Sequence, residues 1–278
     1  MQTKPAVLSA QLGRPQWRAP ARRRDDSDSE DEEDEEAGAS YSIEEYGDSD
    51  DFESDTTMRL YLDTADVAQW TKWAEAGVFY GFTTNPTILR RDAVPCTIAS
   101  MRHLAREAFA LEVEELQLQA WGPTAGDMYA CAMDLADLDS RIIVKLPITL
   151  EGAKAARKLI KQGAPVTMTG VYASHQVVTA LAMGAAYAAP YVGGMTDSGI
   201  NGLKEAIKMQ EIIDQSSEGA MRLLVASVRS ADDMATLAEG GCNTFTISPA
   251  VAQQLFDVQL TQDAADVFQR HATEMADS

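Results

Sequence analysis

Residues 58–278 of the sequence predict an α/β protein of the (β/α)8 barrel class, with an extra C-terminal helix and a disordered extension in front. Three observations carry that expectation. Strand-like and helix-like stretches alternate eight times from Met58 onward, the number that closes a barrel. Nothing in the chain marks the topological switch point or glycine-rich dinucleotide loop of a doubly wound sheet. Polar side chains recur at the carboxyl ends of the strand-like runs, where barrel active sites form.

The first strand is expected at 59–63, where Tyr61 and Asp63 share one face and Leu60 and Leu62 the other. The helix over 67–76 carries Trp70 and Trp73 one turn apart, a spacing that packs a helix against a sheet. A second strand at 78–83 includes Gly81, suited to close backbone approach, and a helix over 97–111 follows. In the third strand, 115–120, Gln117 and Gln119 oppose Leu116 and Leu118. After a helix over 124–138, residues 141–146 form an almost wholly apolar, β-branched run that reads as a strand buried on both faces. Pro147 cannot donate a ladder hydrogen bond, so the strand ends near it. Helices are then expected at 150–162, 174–183, 202–215, 231–238 and 250–256, and strands at 165–169, 185–191, 222–227 and 244–248. A helix over 261–275 is surplus to the eight repeats. Met128, Met133, Met183 and Met209 sit at helical spacings as core filler. His103, His175 and His271 fall in helical stretches away from the strand ends.

Charge divides the chain in three. Residues 1–24 carry six bases and no acid, and residues 25–57 carry 17 acids and no base. The basic segment, with three prolines, reads as a plastid or mitochondrial transit peptide, with a plastid location expected and a cytoplasmic one otherwise. Its alternatives are an untidy disordered extension, or a misassigned start with translation beginning at Met58. The acidic segment lacks the apolar surface to offset chain entropy and is expected to stay disordered. The remainder has a net charge of about −9, ordinary for a domain of this kind and unsuited to nucleic acid. Cys96, Cys131 and Cys242 are far apart and lack nearby histidines, so neither a zinc site nor a disulfide framework is expected. No apolar run approaches the roughly 18 residues of a membrane span.

Chemistry is expected at the strand ends, where Asp63, Thr83, Gln119, Lys145, Thr169, Tyr191 and Ser227 would line one pocket. Desolvation lowers the pKa of a lysine hemmed in by apolar neighbours, which makes its amine a nucleophile toward carbonyls. The plainer reading is a strand-end lysine with a packed stem and a hydrated head. A carboxylate at Asp63, a hydroxyl at Tyr191, and a water held by Gln119 and Thr169 would supply the acid and base that imine chemistry needs. Asn85 would hydrogen-bond substrate hydroxyls. This donor set asks for no metal and no cofactor.

The segments Leu60-Tyr61-Leu62-Asp63-Thr64-Ala65, Thr83-Thr84-Asn85-Pro86, Val144-Lys145-Leu146-Pro147-Ile148-Thr149 and Ala189-Pro190-Tyr191-Val192 resemble the signature segments of the transaldolase family. The branch of short fructose-6-phosphate aldolases and short transaldolases is the nearest in pattern. That resemblance implies a (β/α)8 barrel in which Lys145 forms a Schiff base and Asp63 relays protons. It also implies that Asn85 and Thr83 contact substrate or water, and that Ser227 lies near the distal end of the substrate. Ring-like homo-oligomers, commonly decamers, are implied too, with the C-terminal helix reaching a neighbour. Gln119 and Tyr191 resemble the aldolase type, whereas transaldolases have glutamate and phenylalanine there. Arg229 matches one phosphate-binding position, but Gly194 stands where the family generally has an arginine. Gly193-Gly194 is either a flexible turn or an opening of the pocket's phosphate end.

The function expected is therefore a Schiff-base aldolase joining or splitting a dihydroxyacetone unit and a small aldehyde such as glyceraldehyde 3-phosphate. A short transaldolase of the pentose phosphate pathway is the first alternative. An inactive barrel acting as an interaction protein through its acidic segment is the second.

Overall fold

A computed structural model describes residues 57–216 and 219–276. The proposed transit segment and acidic segment lie outside the described residues, apart from Thr57. Strand and helix alternate as β1 Arg59–Asp63, α1 Val67–Ala74, β2 Gly81–Thr83, α2 Pro86–Arg91, α3 Ile98–Ala110, β3 Glu115–Gln119, α4 Ala125–Ala136 and β4 Ile142–Pro147. They continue as α5 Leu150–Ile160, β5 Val166–Val171, α6 Ser174–Met183, β6 Tyr187–Pro190, α7 Val192–Asp197, α8 Gly202–Ser216, β7 Arg222–Leu223, α9 Ala231–Glu239, β8 Thr244–Ile247, α10 Pro249–Gln254 and α11 Gln259–Ala276. The eight parallel strands run β7-β6-β5-β4-β3-β2-β1-β8. A parallel bridge between Val225 and Phe245 brings the two ends of that order together, so the sheet closes into the expected (β/α)8 barrel.

Alternation decides which side chains enter the barrel. Leu60, Leu62, Leu116, Leu118, Val144 and Leu146 pack outward into the main core beneath the helices, while Tyr61, Ile143, Tyr187, Ala189 and Leu224 form a separate cluster. Their strand mates Gln117, Lys145, Thr167 and Thr169 are buried with them. The buried hydroxyl and amide groups of the wall largely satisfy one another, as interiors require. Thr167 Oγ1 donates to Gln117 Oε1 at 2.8 Å.

The amino-terminal end of the barrel holds a different arrangement. Glu115, 1% exposed, accepts hydrogen bonds from Tyr61 (2.8 Å) and Tyr187 (3.0 Å), with Arg59 Nη1 at 3.7 Å. Such a buried carboxylate persists only because phenols and a guanidinium replace its water.

Two short helices, α2 and α7, were not expected. Strand limits also moved. The second strand is half the expected length, since Val78, Phe79 and Tyr80 precede the ladder proper. β6 stops at Pro190, so Tyr191 starts α7 instead of ending a strand. The formal β7 is two residues long, yet its extended chain continues: Leu224 N donates to Ala188 O and Ala226 N to Pro190 O, both at 2.9 Å. Ser227 then adopts φ +59° and turns the chain away.

Trp70 stacks on Phe82 with ring centroids 4.7 Å apart, which seats α1 on β2 as its spacing implied. Gly81 allows close strand approach as expected, since a Cβ there would lie 2.2 Å from Glu115 O. Gly152 does the same for β4: a Cβ would lie 1.9 Å from Pro147 O. This glycine lets the first turn of α5 sit against the end of the strand that carries Lys145. Gly152→Ala is expected to destabilise the fold by about 1–3 kcal/mol through forced overpacking, read as a lower denaturant midpoint at unchanged slope.

Candidate active site

A cavity of about 440 Å3 opens at the carboxyl end of the barrel. Asp63 enters it from the end of β1, Gln119 from β3, Lys145 from β4, Thr169 from β5, Tyr191 from just beyond β6, and Ser227 from beyond β7. Asn85 lines it as the cap of α2, where its Oδ1 accepts from Thr87 N and Ile88 N at 3.0 Å each. That bond orients the side chain and leaves its amide nitrogen as the group available to a ligand. Thr246 of β8, Tyr172 and Gly170 also line the cavity. Sequence reading missed all three. Thr246 shares the inward parity of Thr244, a signal present in the sequence, whereas Tyr172 follows its strand after a kink that parity cannot anticipate. At that kink Gly170 has φ +71° and the β5–β6 register shifts, the form a β-bulge takes beside a site.

Lys145 is 3% exposed, and its amine makes no hydrogen bond or ion pair among the described residues. Burial pushes its pKa below the ordinary 10.5, while the Asp63 carboxylate opposes the shift through space. Burial pushes Asp63 upward, countered by Lys145 and by a hydrogen bond from Thr83. Two groups that would normally both be charged are thus drawn toward neutrality in one cavity. Tyr191 is raised as well, by burial and by Asp63, with its hydroxyl bond to Thr169 acting the other way. That hydroxyl pair is 2.5 Å apart.

Two expected site residues stand elsewhere. Thr83 is fully buried and does not line the cavity. Its Oγ1 donates to Asp63 Oδ1 at 2.6 Å and lies 2.5 Å from Thr246 Oγ1. With its one proton directed at Asp63, it accepts from Thr246, so Thr83 positions the carboxylate and does not touch ligand. Arg229 faces a neighbouring depression of about 480 Å3 that also includes Ser227 and Gly193. It is ion-paired with Asp197, because Ser227 turns the chain outward before the guanidinium can reach the cavity. His103, His175 and His271 are exposed on helices. Among the described residues no His, Cys, Asp or Glu group of three or more is placed to hold a metal ion, and no helix is long and apolar enough to cross a membrane.

The transaldolase/fructose-6-phosphate aldolase family matches residues 60–278. A probable transaldolase of Rhodospirillum centenum is 30% identical over 211 residues, covering 76% of this chain and 89% of the relative. One from Thermus thermophilus is 31% identical over 215 residues, covering 73% and 93%. Among solved structures, a flavocytochrome b2 variant superposes with a TM-score of 0.51 at 12% identity, over 70% of this chain and 57% of that one. That likeness shows the fold alone.

The lowered pKa of Lys145 sets a stability prediction. From the folded pKa up to 10.5 the unfolded chain holds a proton that the folded one has released, so stability rises with pH across that window. Lys145→Met is therefore expected to be more stable than wild type at neutral pH. Its advantage in melting temperature should shrink as the pH climbs toward 10.5, and a constant advantage at every pH would contradict this account.

Proposed function

The chain belongs to the transaldolase/fructose-6-phosphate aldolase family, and from that premise we propose a Schiff-base aldolase of the fructose-6-phosphate aldolase type. The observation that carries the proposal is the buried, uncoordinated amine of Lys145 in one cavity with Asp63 and the Thr169–Tyr191 hydroxyl pair.

The neutral amine of Lys145 adds to the ketone carbon of the substrate, and loss of water from the carbinolamine gives an iminium. The adjacent carbon–carbon bond breaks and its electron pair flows into the iminium, forming an enamine. The proton of the hydroxyl on the departing carbon goes to Asp63, whose raised pKa makes its carboxylate a stronger base than an exposed one, and the aldehyde leaves. Tyr191, held protonated by burial, supplies a proton to the enamine carbon through a water held with Gln119 and Thr169, and the proton taken up by Asp63 returns to Tyr191 through that water. Addition of water then frees dihydroxyacetone and restores the amine. Asn85 binds substrate hydroxyls. The reverse sequence makes the bond.

The second reading is a short transaldolase, which hands the enamine to another aldehyde, and the names of the relatives favour it. Gln119 and Tyr191 favour the aldolase. We also assign α11 to a homo-oligomer contact: none of its residues is buried, and Leu260, Phe268 and Met275 recur along one side at 70–80% exposure.

Borohydride trapping with dihydroxyacetone, followed by peptide mapping, is expected to label Lys145 and to fail in Lys145→Ala. No adduct in folded wild type would sink both enzymatic readings. Turnover without an acceptor aldehyde favours the aldolase, and dependence on one favours the transaldolase. Tyr191→Phe is expected to slow release of dihydroxyacetone by about 100-fold while imine trapping persists. The rate with saturating ketone should rise with pH as Lys145 loses its proton below 10.5. Truncation before Gln259 is expected to lower the mass found by light scattering, and an unchanged mass removes the role given to α11.

A further inference from the structure

The rim of the cavity leaves an anion very little to bind. Apart from Lys145, whose amine is consumed in the imine, the lining contains no lysine, arginine or histidine. Arg229 is turned into the neighbouring depression and paired with Asp197. Gly193 keeps it there, since a Cβ at that position would lie 2.7 Å from both Arg229 Nε and Ser227 O. Free backbone amides at helix starts are the other usual cradle for phosphate, and at three helix starts beside the site the chain's own acceptors engage several of them. At α7, Val192 N donates to Ala226 O and Gly193 N to Ser227 O, both at 3.0 Å. At α2 the Asn85 side chain takes Thr87 N and Ile88 N. At α6, Glu205 accepts from both the amide and the hydroxyl of Ser174.

An aromatic ring occupies that side of the mouth instead. Tyr172 lies over Gly194, where a Cβ would come within 2.9 Å of its Cε1 and 3.2 Å of its hydroxyl. It meets Tyr191 edge to face with centroids 5.7 Å apart, and it lines the cavity while remaining 42% exposed. A phosphate carried into this mouth would shed water without gaining a charge-assisted partner. An uncharged polyhydroxy aldehyde loses less hydration and gains the ring of Tyr172 and the amide of Asn85.

We infer that the aldehyde partner at this site is uncharged and that Tyr172, seated on Gly194, is the residue that selects it. The inference rests on the aldolase reading above and names its substrate class.

The test is aldol addition of dihydroxyacetone to glyceraldehyde and to glyceraldehyde 3-phosphate, run with the full chain. The expected result is a kcat/KM at least about tenfold higher for glyceraldehyde, the scale of discrimination a single pocket contact supplies. Tyr172→Ala is expected to lower kcat/KM for glyceraldehyde by about tenfold, mainly through KM, whereas Tyr172→Phe keeps the preference. Asp197→Asn, which releases Arg229, is expected to raise kcat/KM for the phosphorylated aldehyde. An equal or higher kcat/KM for glyceraldehyde 3-phosphate in wild type overturns the inference, as does a Tyr172→Ala variant with an unchanged ratio. If dihydroxyacetone still traps on Lys145 in either case, the aldolase reading stands and only the charge preference falls. Absence of both trapping and turnover overturns the two together.

Discussion

A lysine amine buried inside a closed barrel with no hydrogen-bonding or ion-pairing neighbour is the constraint on which the site depends. An ammonium in that position is costly, so the surroundings favour the amine. They do so only while the other groups of the wall remain uncharged. Gln117, Thr167, Thr169 and Thr246 meet that condition, since they hydrogen-bond neutral groups without bringing a counter-charge near. Asp63 is the exception, and it acts on Lys145 through space with no direct bond. A carboxylate in direct contact would hold the proton on the lysine and remove its nucleophilicity.

Charge is accordingly segregated along the barrel axis. At the amino-terminal end Glu115 is fully engaged by Tyr61 and Tyr187 with Arg59 nearby. At the carboxyl end Arg229 pairs with Asp197 outside the cavity, while Arg91 pairs with Asp92, donates to the Asp63 carbonyl oxygen at 3.5 Å and acts on the Asp63 carboxyl through space. Between them lies a lining whose functional groups are neutral or drawn toward neutrality. The proposed imine chemistry and the proposed preference for an uncharged aldehyde then rest on one physical source, a buried lining that holds a single lysine and a single carboxyl.

Much of this was legible in the sequence because period-two patterning is local. Tyr61 with Asp63 and Gln117 with Gln119 each state which face turns inward, the β-branched run before Pro147 marks a strand buried on both faces, and eight strand–helix alternations carry the barrel. The misses are of another kind. Asn85-Pro86 carries a helix cap followed by proline at the first helical position, a start signal for α2 that a search for helical periods does not register. No such signal exists for α7, whose start makes no side-chain cap and whose Gly193-Gly194 reads as a turn. Thr83 lies at a strand end like the others, and only the chain geometry reveals that its hydroxyl faces Asp63 and not the cavity. The fate of Arg229 depends on Asp197, 32 residues earlier, and on the backbone reversal at Ser227. Long-range pairings of that sort leave no trace in spacing.

The plug of Tyr61, Ile143, Tyr187 and Leu224 closes the barrel on the amino-terminal side of Lys145, so the cavity is a well entered from the carboxyl end. In a well, traffic is last in, first out. On the proposed chemistry the carbonyl joined to Lys145 would occupy the bottom, and a second molecule would stand above it, toward Tyr172. The fragment nearer the mouth would leave first in cleavage, and the ketone would arrive before the aldehyde in synthesis. A closed floor would order those arrivals and departures without any moving part.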